Sequence, residues 1–322
     1  GLFWSDDDRD GMEFSISGSG LRPTLNAYLY GDAMAISRMA ERAGRKQLSV
    51  AFRQKAETIR EAMDRLLWDG DFYRTLPCAK GAPVDSSARP AVEENHRVRE
   101  LVGYLPWYFA MPEQGKEATF RQLLDPKGFF APWGLTTAEQ RHPRFGFFHE
   151  HECLWNGPVW PFATAQTLTA AARLLREYPP TDAFTQEDYW TLLRQYALSH
   201  RQRGADGRFR PWIDEDMDPY TGDWTARSQL KADHWNPQRG GYERGKDYNH
   251  STFCDLVLDG LFGIGADCEG NLTARPMVPK NWPYFRVEGV PHAGKRWTVL
   301  YDRDGSYYGR GAGIQIFEKE IE

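Results

Sequence analysis

The chain has 322 residues, 41% hydrophobic and 26% charged, with a formal charge of −5, enough for one large domain with a small companion or for two ordinary domains. No Lys/Arg run marks a nucleic-acid surface and no apolar run approaches the ~20 residues of a membrane span, so neither nucleic acid nor a bilayer is an expected partner. Aromatics are abundant, with 12 Trp, 15 Tyr and 18 Phe. Many adjoin Gly, Pro, Asp or Asn, where they pack beneath loops or stack on sugar rings.

Residues 1–20, GLFWSDDDRDGMEFSISGSG, read as a flexible loop crowded with carboxylates. A helix is predicted over 24–43, ended by Gly44, with apolar residues on so many sides that it should be buried all round. A second follows over 48–67, amphipathic around Phe52, Ala56, Ile59, Met63 and Leu66. An inner helix beside an outer one makes a helical hairpin. The pattern recurs over 98–110 and 113–124, broken by Pro106 and Pro112, and again over 160–178 and 186–200; a last apolar helix is predicted over 249–264. The loops 125–157 and 204–247 exceed the ~12–15 residues of ordinary connections and are rich in Trp, which points to function. From about residue 272 the apolar period becomes two, through Phe285, Val287, Trp297, Val299, Tyr301, Ile314 and Ile316, which predicts a small antiparallel β unit. The expected division is a helical-hairpin catalytic domain over 1–268 and a β cap over 269–322. Cys78, Cys153, Cys254 and Cys268 show no paired spacing and read as free core residues.

Three loop stretches gather carboxylates beside aromatics: 1–20, 145–160 (FGFFHEHECLWNGPVW) and 210–224 (RPWIDEDMDPYTGDW). Glycoside hydrolysis needs such a pairing, one carboxyl protonated as acid and one ionised as base or nucleophile, on opposite sides of the scissile bond. The same stretches admit other readings. Asp6, Asp7, Asp8 and Asp10 read first as a solvated loop favouring the N-terminus of the next helix, with Asp10 the most plausible second acid among them. The spacing of Asp214, Asp216 and Asp218 suggests an EF-hand, but Pro219 stands where Gly is needed and Thr225 where the bidentate Glu is needed. His149, Glu150, His151, Glu152 and Cys153 lack the i, i+4 histidines of a zinc helix, so no metal or other cofactor is expected. The glycines at 18 and 20 lack the preceding strand and the Lys of a phosphate loop.

Motifs along most of the chain resemble the six-hairpin (α/α)6-barrel glycosidases, namely glycoside hydrolase family 63, the mannosylglycerate and glucosylglycerate hydrolases and, more distantly, trehalase. DGMEFS at 10–15 resembles the loop that carries the family's general acid. LWDGDFY at 67–73 is similar to a motif closing an outer helix. PWGLTT at 132–137, with Pro143 and Phe145, precedes LWNGPVW at 154–160, which resembles YWRGPVW. EDMDPYTG at 215–222 resembles the segment whose Glu is the general base, and KDYNHST at 246–252 the opening of the last barrel helix. The resemblance implies a mainly α fold, an (α/α)6 toroid with a small antiparallel β unit. It places the acid at Glu13, with Asp10 as a possible second acid, and the base at Glu215. It further implies inversion, with carboxyls roughly 6.5–9.5 Å apart. Expected substrate-binding residues are Trp4, Trp133, Trp155, Asn156, Trp160, Trp212, Glu152 and Asp247, with Trp235 also in a rim loop and His250 structural. Glu stands where the family has Asp, and Asn156 where it has Arg, so the sugar is left open.

The resemblance also implies inner helices ahead of the acid loop. Gly1 therefore reads as a cut just before the active site, and a missing N-terminal segment of the same protein is expected to complete the barrel. The expected activity is an inverting, exo-acting glycosidase on a small glycoside or oligosaccharide end, with carbohydrate as the partner. An arabinofuranosidase of plant polysaccharide side chains is an alternative on the same barrel. A sugar epimerase or isomerase using His149, His151 and His250, and a non-catalytic glycan-binding module, are alternatives of other classes.

Overall fold

A computed structural model describes residues 1–9, 11–84, 90–146, 153–247 and 250–318. Two short strands, β1 (Trp4–Ser5) and β2 (Gly20–Leu21), close the opening loop, and β3 (Leu76–Pro77) pairs with β2 to complete a three-stranded antiparallel sheet. Helix α1 (Pro23–Arg42) starts on Pro23, whose fixed φ and missing N–H suit a first helical position. It packs along α2 (Lys46–Leu66), with the Ser37 hydroxyl donating to the Ser49 carbonyl where the two helices approach. The expectation that α1 is buried all round is not met. Its stripe Ala27, Tyr30, Ala33, Ser37 and Ala40 is covered, but Leu25 and Met39 are exposed, because α2 and the 101–108 segment cover only part of its circumference.

The second predicted hairpin is reduced to short pieces: a 3-10 turn at Leu101–Tyr104, the single-turn α3 (Leu105–Tyr108) and a 3-10 stretch at Glu117–Leu123. Pro106 is tolerated in the first turn, but Ala110 at φ 51° and Pro112 prevent continuation. Aromatics fill the place of regular helix: Tyr73, Tyr104, Trp107 and Phe120 meet edge to face or tilted, all buried. Two hairpin strands, β4 (Phe130–Ala131) and β5 (Gly134–Leu135), lead to α4 (Pro161–Glu177), the most buried helix; its small Ala163, Ala165, Ala170, Ala171 and Ala172 permit close approach of α3 and α5. Helix α5 (Gln186–Ser199) begins with a reciprocal capping box, in which the Asp188 N–H donates to Thr185 Oγ1 and the Thr185 N–H to Asp188 Oδ2.

The strands β6 (Arg201–Arg203) and β7 (Phe209–Pro211) and helix α6 (Thr225–Ala232) flank the second acidic segment. Helix α7 (His250–Asp255) continues as a π-helix over Leu256–Leu261. There the Tyr189 hydroxyl donates to the Leu256 carbonyl, and a Cβ on Gly260 would lie 2.1 Å from that hydroxyl. The side chain inserted from α5 thus draws a carbonyl out of the α-helical ladder at a residue able to admit it. Beyond it, β8 (Ile264–Ala266) pairs with β9 (Leu272–Ala274), and β10 (Tyr284–His292), β11 (Lys295–Asp302) and β12 (Gly313–Glu318) form an antiparallel sheet in that order. Phe262 stacks on Phe285 at 4.2 Å and joins this sheet to the helices. Among the described residues no helix is long and apolar enough to cross a membrane. All four cysteines are free, and the expectation that they are core residues fails for Cys254 and Cys268, which are exposed at element ends.

Candidate active site

The opening loop owes its shape to its aspartates. Asp7 accepts from Ser15 Oγ at 2.7 Å and is ion-paired with Arg22, a fully buried guanidinium that also donates to the Gly18 carbonyl and to Ser15 Oγ. Asp8 accepts the Phe14 N–H at 2.7 Å, and Asp6 accepts from Ser19 Oγ. Beneath them the buried Glu100 accepts both the hydroxyl and the N–H of Ser17; burial raises its carboxyl above the ordinary range, against those hydrogen bonds. Asn26 of α1 clamps Phe3 through its N–H and its carbonyl. The loop thereby presents Glu13 and an exposed Phe14, both next to the turn at 13–14, where Phe14 adopts φ 55°.

The second acidic segment is held the same way. Asp214 is buried in an ion pair with Arg227 of α6. Asp218 accepts the N–H groups of Tyr220 and Thr221, and the Asp216 carbonyl accepts from Thr225. A two-way backbone bridge joins Met217 to Val159. The carboxyl of Asp216 is 1% exposed and accepts the Leu154 N–H at 2.6 Å through Oδ2. Burial first, then the neighbouring Glu215, Asp214 and Glu13, push it well above the usual carboxylate range, against the Leu154 hydrogen bond. The loop before α7 closes over Glu215: a Cβ on Gly245, itself at φ +72°, would lie 3.0 Å from Glu215 Cγ.

Residues 153–160 lie between these two segments. Trp155 N–H donates to the Glu13 carbonyl at 2.9 Å and Cys153 Sγ donates to Glu13 Oε2 at 3.1 Å. The Cys153 thiol is pushed far up by burial and then by the charges of Asp216, Glu13 and Glu215. Glu13 of the first loop thus touches the buried thiol directly, while Glu215 and Asp216 of the second segment act on it through their charge. Sequence reasoning weighed Cys153 only as a core residue or part of a rejected metal run and Asp214 and Asp216 only as part of a rejected EF-hand, and it did not single out Arg227; the density of acids around 214–218 was the one sign of this cluster.

The predicted binding residues separate into two groups. Trp155 and Trp160 are buried, at 1% and 5% exposure, and meet edge to face at 4.7 Å; both indole N–H groups and Asn156 Oδ1 lack hydrogen-bond partners among the described residues. Trp4 packs on the core, its indole N–H given to the Cys78 carbonyl, with Lys80 over its ring. Trp133 lies partly buried beside Trp212 in a small cluster around Val159, Ile213, Met217 and Trp224, with Arg201 over its ring. Trp212, Trp235 and the exposed Tyr242 form an edge-to-face row, with Lys246 over the Trp212 and Tyr242 rings. Asp247 is exposed at φ 65° and donates its N–H to the Ile213 carbonyl. Asp10, His149, Glu150, His151 and Glu152 lie outside the described residues. Among the described residues no group of His, Cys, Asp or Glu has the arrangement of a metal site.

The model of the mannosylglycerate hydrolase MGH1-like glycoside hydrolase domain matches residues 1–251. The chain belongs to this family. A solved structure named "Sialidase" is similar over 99% of the chain, at 35% identity and a TM-score of 0.82, yet the chain spans only 27% of that protein's length. A glycoside hydrolase family 63 mannosylglycerate hydrolase from Thermus thermophilus, solved with glucose, aligns with 66% of the chain and 47% of its own length, at 19% identity and a TM-score of 0.39. No match was found among curated protein sequences. This MGH1-like domain therefore carries its acidic loop, its 153–160 segment and its second acidic segment all within the matched region.

Proposed function

We propose that this MGH1-like domain hydrolyses a glycosidic bond with Glu13 as general acid and Glu215 as general base. The observation that carries the reading is that residues 153–155 join the two loops, with Trp155 and Cys153 held to Glu13 and Leu154 held to Asp216, the neighbour of Glu215. In the reaction Glu13 gives its proton to the leaving-group oxygen as the C–O bond breaks. Glu215 takes a proton from the water that forms the new bond at the anomeric carbon, and one water is consumed. Inversion and exo-action follow from the motif likeness, and the mannosylglycerate hydrolase description of the family supports a small glycoside or an oligosaccharide end as substrate. The row Trp212, Trp235 and Tyr242 would stack on the sugar, beside Trp133 and Asp247, while Trp4, Trp155 and Trp160 serve packing. Asn156, with its unpaired amide oxygen, would accept from a sugar hydroxyl.

In this reading residues 1–268 are the catalytic unit and 269–322 a β cap, a division that the family match ending at 251 supports. The helical hairpins would belong to an (α/α)6 toroid whose further helices, from a segment outside these residues, cover Leu25 and Met39 of α1.

The test is a panel of aryl glycosides and oligosaccharides with the full-length protein and with Glu13→Gln and Glu215→Gln. Each variant should lose at least ~10³-fold in kcat while titration calorimetry still records sugar binding. Turnover unchanged in either variant would remove that residue from its role. NMR of the first-formed anomeric proton tests inversion.

A further inference from the structure

Three consecutive residues touch the two glutamate loops. Trp155 holds the Glu13 carbonyl, Leu154 holds the Asp216 carboxyl at 2.6 Å, and the Cys153 thiol reaches Glu13 Oε2 at 3.1 Å. The two backbone contacts fix the distance between the loops, because a three-residue segment spans at most ~10 Å and cannot stretch. The thiol contact is different, since it bears on the carboxyl group itself. We propose that Cys153 is a positioning residue for the general acid, orienting the Glu13 carboxyl through a neutral, weak donor that leaves its proton available. The inference rests on the assignment of Glu13 as the acid.

The chemistry favours sulfur here. A hydroxyl or an ammonium at the same place would make a stronger bond to a carboxylate and so favour the ionised form, the wrong form for an acid before the reaction. A thiol is a weak donor, compact and at home in apolar surroundings. Its own ionisation is suppressed by burial and by three nearby carboxyls, so it remains S–H and is neither a nucleophile nor a metal ligand. Burial likewise raises the neighbouring Asp216 carboxyl, whose buried Oδ1 has no hydrogen-bond partner among the described residues. The side chain that touches the Glu13 carboxyl here is thus an uncharged thiol, which orients it without a counter-charge.

The test compares full-length wild type with Cys153→Ser and Cys153→Ala on the 4-nitrophenyl and methyl glycosides of the sugar that turns over in the panel. Cys153→Ala should lose about 10²-fold with the methyl glycoside, whose leaving group needs a proton, and less than about threefold with the nitrophenyl glycoside, whose leaving group does not. Cys153→Ser, close in shape, should move the alkaline limb of kcat/KM to lower pH, because the hydroxyl favours the ionised carboxyl. Equal losses with both leaving groups, together with superimposable pH profiles, would overturn the proposal. Should the Ala variant fail to melt cooperatively, the Ser profile decides alone. Glu13→Gln run in parallel separates the two ideas: an active Glu13→Gln removes the underlying assignment, whereas an inactive one beside unaltered Cys153 variants removes only the role of the thiol.

Discussion

The two acidic loops solve one problem with different margins. In each, a glutamate stands among aspartates whose side chains are engaged: Asp8 with the Phe14 N–H, Asp218 with the N–H groups of Tyr220 and Thr221, Asp7 with Arg22, Asp214 with Arg227. Only Asp218 makes the short-range turn typical of its residue type; the other three reach partners farther along the chain. The loops differ in how dry they are. The Asp7 side chain keeps 19% of its exposure and has Ser15 as a second partner, while Asp214 keeps no exposure and has the Glu215 N–H as a second partner. The first loop is therefore a partly wet, hydroxyl-lined turn, and the second is anchored in the interior.

This contrast can be broken by experiment. Removing the cation of the drier loop should cost most: Arg227→Met strands a fully buried Asp214 and should destabilise by about 3–5 kcal/mol in urea unfolding at neutral pH. Arg22→Met should cost less, on the order of 2–3 kcal/mol, because water and Ser15 still serve Asp7. Equal losses would mean that the two loops are equally dry. The next effect depends on pH. Burial holds the Asp216 carboxyl well above its usual range, so the fold favours the protonated form. Its stabilising contribution is complete below the unfolded-state value and is lost as pH rises through the raised native value. Asp216→Asn, permanently neutral and still able to accept from Leu154, should therefore gain on wild type in melting temperature as pH is raised from acid to neutral. Parallel curves would show that Asp216 is ionised in the fold. The smallest effect belongs to the wet loop: Asp8→Ala removes one exposed hydrogen bond to Phe14 and should cost about 1 kcal/mol in the same unfolding experiment.

Much of the scaffold was legible because long apolar periods survive tertiary packing. The helices at Pro23–Arg42, Lys46–Leu66, Pro161–Glu177 and Gln186–Ser199 lie within two residues of their predicted ends. The pair predicted over 98–124 was misread, since its apolar residues belong to a cluster of aromatic rings around short turns, and a period cannot tell that cluster from a helix cut by proline. The π-helical turn at Leu256–Leu261 was invisible for a related reason: its cause, the Tyr189 hydroxyl, lies 67 residues away in sequence.

The sequence by itself determined the four long helices, that two carboxylate-rich loops flank them, and to which glycosidases their motifs are similar, because these depend on local spacing and order. Only the tertiary structure decided how each acid is held. Hydrogen-bond partners and burial are set by residues far apart in the chain, so nothing near Glu13 announces Cys153, and nothing near Glu215 announces that its neighbour Asp216 is buried against Leu154. The same dependence divides the tryptophans: Trp155 is buried and Trp212 partly open, although both stand in loops of similar composition.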